Sequence, residues 1–345
     1  MHQIVIETED GETCSFECGP NEDVISAGLR QSVILMSSCR AGGCATCKGD
    51  CVDGDYELID VKVQALPPDE EEDGKILLCR TFPRSDLHVL VPYTFDRISF
   101  ESIQTNWVGE IKTCERASSN VMRLVVQVLT ADGSAPVSLN FSPGQFVDIE
   151  IPGSHTRRSY SMASISSDGA LEFFIRLLPD GAFSKFLQSS AKVGMRLDLR
   201  GPTGAFNLRN NGPRPRFFVG GGTGLSPVLS MVRHMQSSGD TTPAKLFFGV
   251  TRRDELFYLD ELKKLQSAMP NLDLHIAVVE GGDGNGVSGG TVIDLLRGEL
   301  GDGSDDHPDI YLCGPPGMID AAYAAASSAG VPAEHVYLEK FLASG

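Results

Sequence analysis

Apolar and polar residues alternate through HQIVIETED and TCSFEC, and the alternation breaks at Asp10 and Gly11, so the opening of the chain predicts a β-hairpin. Over 21–32 the period lengthens. Val24, Ile25 and Leu29 keep helical spacing, with Asn21 placed to cap the helix, and VILMSS then leads into a cysteine-rich loop. Hairpin, helix and loop together predict a β-grasp module. Past Arg97 come short strand-like runs, NVMRLVVQVL, GQFVDIEI, LEFFIRLL and MRLDLRG, parted by turns that contain Gly, Pro or Asp, the pattern of an antiparallel barrel. From Arg214 onward strands and helices alternate: RFFVGG, PVLSMVRHMQ, AKLFFGV, ELFYLDELKKLQ, LDLHIAVV, TVIDLLRGEL, DIYLCG, MIDAAYAAASSAG and HVYLEKF. Such alternation predicts a doubly wound parallel sheet. The expected chain is therefore multidomain, α+β and α/β. A β-grasp domain covers 1–98, an antiparallel β-barrel 99–211 and a doubly wound α/β domain 212–345, with NGPRP at 211–215 as a linker.

Composition agrees with several ordinary cores. A chain of 345 residues exceeds the size at which one core keeps growing, and 41% hydrophobic with 22% charged residues is the balance of a globular protein, not a disordered one. MHQIVIETEDGE has acids where a secretion signal has a basic start and an apolar run, and no later stretch reaches the length of a membrane span, so a cytoplasmic chain is expected. The net charge of -17, from 29 basic and 46 acidic residues, opposes binding to nucleic acid and to anionic lipid. Residues 1–98 hold 8 Lys and Arg against 19 Asp and Glu, a balance of 8 - 19 = -11, which points to a basic protein partner for that third of the chain.

Nine cysteines in such a chain indicate metal ligation or redox chemistry over a disulfide framework. Cys39, Cys44 and Cys47 stand in SSCRAGGCATCKG and Cys79 follows in LLCR, giving C-x4-C-x2-C with a distant fourth cysteine, the spacing of plant-type [2Fe-2S] ligands. Gly42, Gly43, Ala41 and Ala45 leave room for backbone N–H groups to approach the sulfurs. Cys44, Cys47 and Cys51 form an alternative set for zinc or another cluster, but that set leaves the glycines and Cys79 without a task. Cys14, Cys18, Cys51 and Cys114 are expected to be small buried hydrophobes.

In the middle section Arg158-Ser159-Tyr160-Ser161 follows a strand-like GQFVDIEIP, and IRLLPDGAFSKFL comes after it. Together and in this order they resemble the R-x-Y-S flavin motif and the phosphate-binding helix start of the ferredoxin reductase family. The resemblance implies FAD, with Tyr160 stacked on the isoalloxazine, Arg158 paired with the pyrophosphate and Ser161 at the flavin N5 edge. An aromatic ring, a guanidinium fork and a hydroxyl suit those roles. Gly181 and Ser184 open a helix whose first N–H groups favour a phosphate, although a plain helix cap needs the same residues.

Strand RFFV runs into Gly220-Gly221-Gly222-Thr223-Gly224-Leu225-Ser226-Pro227 and then a helix, an order that presents N–H groups to a pyrophosphate. Pro227 stands where the usual fingerprint has its third glycine, so the loop resembles the family's G-G-T-G-x-x-P version. Cys313-Gly314-Pro315-Pro316-Gly317-Met318 resembles the family's C-G-P-P-x-M motif, which puts Cys313 beside the nicotinamide. By the same resemblance Glu339 and Phe341 in YLEKF flank the flavin ring and gate nicotinamide entry, although a terminal strand also wants aromatics. TRRDE at 251–255 leaves the nucleotide open: Arg252 or Arg253 suits a 2'-phosphate, whereas Asp254 suits a free 2'-hydroxyl. NADH is expected over NADPH.

Cluster, flavin and nucleotide domains in this order resemble the reductase components of bacterial multicomponent oxygenases. VQALPPDEEEDGKILLCRT, GGTGLSPVLSMVRHMQ, LFYLDELK and DIYLCGPPGMIDAA resemble the methane monooxygenase branch more than the phenol, toluene or aromatic-ring dioxygenase branches. The implied partner is the diiron hydroxylase of a soluble methane monooxygenase, docked through the acidic ferredoxin domain. The acidic run Asp69 to Asp73 is either part of that dock or a solvated helix start. A redox-sensing regulator is the alternative of a different class.

Overall fold

The computed structural model describes residues 1–345 except 38, 39, 41, 44, 64, 101–105, 131, 155, 210, 283, 285, 301–306 and 342–345. The chain forms two compact units, Met1–Gln104 with Thr203–Ala205 and Lys340–Ser344, and Thr105–Pro202 with Phe206–Glu339 and Gly345.

In the first unit β1 (His2–Thr8) and β2 (Thr13–Cys18) form the expected hairpin, and α1 (Val24–Arg30) follows. The cap differs from expectation: Asp23, not Asn21, accepts the Ser26 N–H, because the helix begins two residues later than the polar run NED suggests. Next come β3 (Lys48–Asp53), β4 (Tyr56–Leu58), α2 (Pro68–Glu72), β5 (Lys75–Leu77), β6 (Thr81–Pro83) and β7 (Leu87–Val91). The sheet order is β2-β1-β7-β3-β5, with β1 and β7 parallel and the other pairs antiparallel. Ile4, Ile6, Ile25, Leu66, Ile76 and Val89 fill its core on the α1 side. The acids Asp69, Glu70 and Glu71 form the first turn of α2, where the helix dipole favours them, and Glu70 pairs with Lys48.

The second unit opens with β8 (Asn106–Arg116), β9 (Val121–Leu129), β10 (Phe146–Glu150), β11 (Arg157–Ser161), β12 (Ala170–Arg176), α3 (Ala182–Ser189) and β13 (Arg196–Thr203). Its antiparallel sheet has the order β11-β10-β13-β8-β9-β12. A hydrogen bond from Ala163 N to Glu172 O, 2.8 Å, joins the two ends of that order and closes the barrel. Leu124, Val126, Val147, Ile149, Phe173 and Leu199 pack inside it.

β14 (Arg216–Gly221), α4 (Leu225–Ser238), β15 (Ala244–Arg252), α5 (Leu259–Ala268), β16 (Leu272–Glu280), β17 (Ser288–Gly289), α6 (Val292–Leu300), β18 (Asp309–Gly314), α7 (Pro316–Ser328) and β19 (Val336–Lys340) complete the unit. The strand order β17-β16-β15-β14-β18-β19 is doubly wound, with β14 parallel to both β15 and β18. The chain winds outward from β14 through β15 and β16, then returns to the other side at β18. Its topological switch point therefore lies between the carboxyl ends of β14 and β18. Every residue of both strands is buried, as a sheet covered on both faces requires.

Candidate functional site

At the switch point Gly220 on β14 lies directly opposite Cys313 on β18. The glycine-rich turn that follows is held by the absence of side chains. A Cβ at Gly224 would collide with the Cys313 carbonyl, and one at Gly221 with Met318 Sδ. Gly222 takes a left-handed φ of 54° and Gly314 a φ of 156° with Met318 against it. Thr223 is half-buried in the turn, and Pro227 falls in the first turn of α4, where a missing N–H costs nothing. Ser226, beside it, is buried with its hydroxyl lacking a partner among the described residues, so this helix start offers both backbone N–H groups and a hydroxyl to a dinucleotide phosphate.

β19 brings Glu339 to the same place. Its carboxyl is 3% exposed, and Ser161 Oγ at the end of β11 lies 3.4 Å from its Oε2. Burial pushes the Glu339 carboxyl up to about 8, only partly opposed by the Ser161 hydrogen bond. Burial likewise pushes the Cys313 thiol well above its ordinary range, and ionisation of Glu339 would push it further, so both groups carry their protons at neutral pH. The structure thus gathers three residues expected at the hydride-transfer site, Ser161, Cys313 and Glu339, from three strands. Phe341 follows β19, is half-buried and groups with the first unit.

Along β11, Arg158 pairs with Ile149 and Tyr160 with Val147, so the two side chains share a face. The Tyr160 ring packs on Phe183 of α3 at 4.8 Å between centroids. Gly181 caps α3, and a Cβ there would crowd Ser184 Oγ at 3.0 Å and Leu178 Cβ at 3.1 Å. The Ser184 hydroxyl accepts the Leu178 N–H at 2.9 Å, which fixes the turn before the helix. The sequence assigns Ser184 to a phosphate; here its acceptor braces that turn while the first N–H groups of α3 stay without intrahelical acceptors. A half-buried aromatic, an arginine on its face and an open helix start fit a flavin nucleotide.

In the first unit Cys47 and Cys79 are both buried. Register brings them together: Lys48 pairs with Leu77, and Leu78 N donates to Cys47 O at 3.0 Å. Cys39 and Cys44 lie outside the described residues. Around them Arg40, Gly42 and Ala45 take left-handed φ values of 46°, 68° and 61°, and Lys62 N bonds Gly42 O. Among the described residues Thr46 Oγ1 and Arg80 Nε are buried without a hydrogen-bond partner, leaving two donors free for a sulfur-rich group. Cys51 is a β3 residue whose thiol donates to Asp53 O, and burial lifts the Cys14 and Cys18 thiols to about 11 and about 12.

At the end of β15, Arg252 is paired with Asp254 at 3.2 Å and Glu255 at 3.4 Å, and Arg253, the next residue, donates to Gly281 O. Sequence reasoning missed a second cluster, Glu172 with Arg123, Arg233 and Tyr258, because its members lie far apart in the chain. No described helix is long and apolar enough to cross a membrane.

Three family models match consecutive parts of the chain: a 2Fe-2S iron-sulfur cluster binding domain over 7–84, an oxidoreductase FAD-binding domain over 109–208 and an oxidoreductase NAD-binding domain over 218–324. Methane monooxygenase component C of Methylosinus trichosporium is 69% identical over 300 residues, 87% of each chain. The toluate 1,2-dioxygenase electron transfer component of Pseudomonas putida is 34% identical over 99% of each chain. Among solved structures, a ferredoxin reductase in carbazole 1,9a-dioxygenase is 26% identical with a TM-score of 0.73 over 99% of each chain. An Amycolatopsis cytochrome P450 reductase, 24% identical, shares the fold with a TM-score of 0.80 over 98% of each chain.

Proposed function

The chain belongs to the methane monooxygenase component C family, and on that premise we propose that it moves electrons from NADH, through FAD and a [2Fe-2S] cluster, to the diiron hydroxylase that oxidises methane to methanol. Held by this chain's residues, FAD would supply the conversion of a two-electron hydride donor into single-electron delivery, which is what a diiron partner needs. The reading rests above all on the meeting of Ser161, Cys313 and Glu339 at the switch point.

The residues divide the work. Arg158, Tyr160, Ser161, Gly181 and Ser184 hold FAD. Gly221, Gly222, Thr223, Gly224 and Pro227 shape the turn that takes the NADH pyrophosphate, and Gly314 lets Cys313 sit at the nicotinamide. Glu339, protonated at neutral pH, keeps a proton on the carboxyl facing Ser161 and adds no charge to the buried pocket. Phe341 gates entry. Cys39, Cys44, Cys47 and Cys79 ligate the cluster. Arg252 is already occupied by two carboxylates, which favours a free 2'-hydroxyl over a 2'-phosphate and hence NADH over NADPH. The modules span 1–98, 99–211 and 212–345. The protein works in the cytoplasm and docks on the hydroxylase through the acidic ferredoxin module.

Anaerobic stopped-flow with NADH tests this: flavin bleaching first, cluster reduction next and hydroxylase reduction last. Bleaching of the flavin with no later reduction of the cluster would refute the sequence of carriers.

A further inference from the structure

The segment LFYLDELK, distinctive in sequence, has no part in the site described above. Its third residue, Tyr258, is a non-glycine residue at φ 63°, a left-handed conformation that surrounding contacts must hold. Those contacts are specific. The Tyr258 ring packs edge-on against Phe174 of β12 at 4.8 Å, and its hydroxyl accepts from Arg233 Nη2 at 2.6 Å and lies 3.3 Å from Glu172 Oε1. Arg233 sits on α4, and its Nη1 donates to Glu172 Oε2 at 2.6 Å and to Ala163 O at 2.7 Å. Arg123 Nε donates to Glu172 Oε1 at 2.6 Å. One turn before Arg233, Ser230 Oγ donates to Ser164 O at 2.7 Å, and Ser164 Oγ accepts the Glu172 N–H.

These bonds lie close to the flavin side of the site. Ala163 and Ser164 follow Ser161 by two and three residues, so α4 grips the barrel strand just past the flavin-facing hydroxyl. The other end of α4 starts at Gly224, pressed on the Cys313 carbonyl. A continuous path therefore runs from Cys313 through α4 to Arg233, across to Ala163, back to Ser161 and over to Glu339. Every link is a backbone contact, a helix or a hydrogen bond.

We infer that Arg233, with Ser230 and Glu172, is a positioning device for hydride transfer: it fixes the nucleotide-side groups against Ser161 and touches neither cofactor. This rests on the hydride-transfer reading above. The physical warrant is that transfer from the nicotinamide carbon to flavin N5 needs near-contact geometry, and a misplacement of about 1 Å costs about a hundredfold in rate.

Arg233→Lys keeps a positive charge but loses the fork that serves Glu172, Ala163 O and Tyr258 together, and Ser230→Ala removes only the Ser164 bond. Both are milder than Arg233→Ala, which leaves Glu172 with one guanidinium. In the holoprotein, flavin reduction at saturating NADH is expected to fall about ten- to hundredfold in Arg233→Lys, with NADH Kd and FAD content within about twofold of the parent. Ser230→Ala is expected to fall in the same direction by less. A second readout needs no turnover: alkylation of Cys313, followed by peptide mass spectrometry on cofactor-free protein, should speed up in both variants as α4 loosens. Lowered melting temperature with an unchanged limiting rate and unchanged Cys313 labelling would make the network merely structural and overturn the inference. Failure of the parent protein itself to reduce its flavin with NADH would instead sink the hydride-transfer reading on which it rests.

Discussion

Glu339→Gln isolates the proton that the site holds. A carboxyl at about 8 in place of the ordinary 4.5 means that its ionised form is disfavoured by burial. Each pKa unit is worth about 1.4 kcal/mol, so the gap corresponds to about 5 kcal/mol, an upper figure for a fully buried group. The sign follows from proton counting. Between pH 4.5 and 8 the folded chain keeps a proton on Glu339 that the unfolded chain releases, so this residue's contribution to stability falls as pH rises through that window and levels off above about 8. The amide of the variant does not titrate and loses nothing over that range. Denaturant titrations of parent and variant at pH 5 and pH 8.5 should therefore show the variant gaining on the parent as pH rises. Infrared spectra at pH 7 should show a protonated carboxyl stretch in the parent that the variant lacks. Flavin reduction by NADH in the parent should decline as pH passes about 8, because an ionised Glu339 places an uncompensated charge beside Ser161 and Cys313. Identical pH dependence of stability in the two proteins, with no protonated stretch, would show that Glu339 is ionised at neutrality and that the burial argument fails.

Other substitutions separate the modules. Cys79→Ser should abolish the [2Fe-2S] EPR signal on reduction while FAD and NADH-ferricyanide activity persist, since β1 to β7 and the barrel have distinct cores; a normal signal would remove Cys79 from the ligands. Tyr160→Ala should weaken FAD retention on gel filtration, whereas Cys313→Ala should slow flavin reduction more than it weakens NADH binding. Gly224→Ala, whose new methyl would meet the Cys313 carbonyl, should cost about 1–3 kcal/mol in unfolding experiments and most of the NADH reaction. Neutralising Asp69, Glu70, Glu71 and Glu72 should weaken the salt dependence of electron transfer to the hydroxylase if the acidic module steers docking, and leave it unchanged if these acids only start α2.

Much of the fold was legible because periodicity and turn chemistry are local. Asp10 and Gly11 mark the first hairpin, and RFFVGG and DIYLCG read as buried parallel strands because they are apolar throughout. Errors fell where a single backbone choice decides. The helix expected within ELFYLDELKKLQ begins only at Leu259, since Tyr258 turns left-handed, and α1 is capped by Asp23. The flavin and nucleotide motifs were visible as short strings, but not their meeting: Ser161 and Glu339 are 178 residues apart in sequence. Glu172 and Arg233 were invisible for the same reason, since each reads alone as an ordinary charge on a strand or helix.

Whether hydride taken from NADH leaves as single electrons for a methane-oxidising diiron partner is decided by reconstitution. Purified protein carrying FAD and the cluster is mixed with NADH, methane, oxygen and the hydroxylase of a soluble methane monooxygenase, and methanol is measured against NADH consumed. Methanol should form only with both NADH and an intact cluster, and should disappear in Cys79→Ser while ferricyanide reduction survives. Rapid ferricyanide reduction by the parent protein with no electron reaching the hydroxylase, or methanol formation undiminished in Cys79→Ser, would contradict the proposed route.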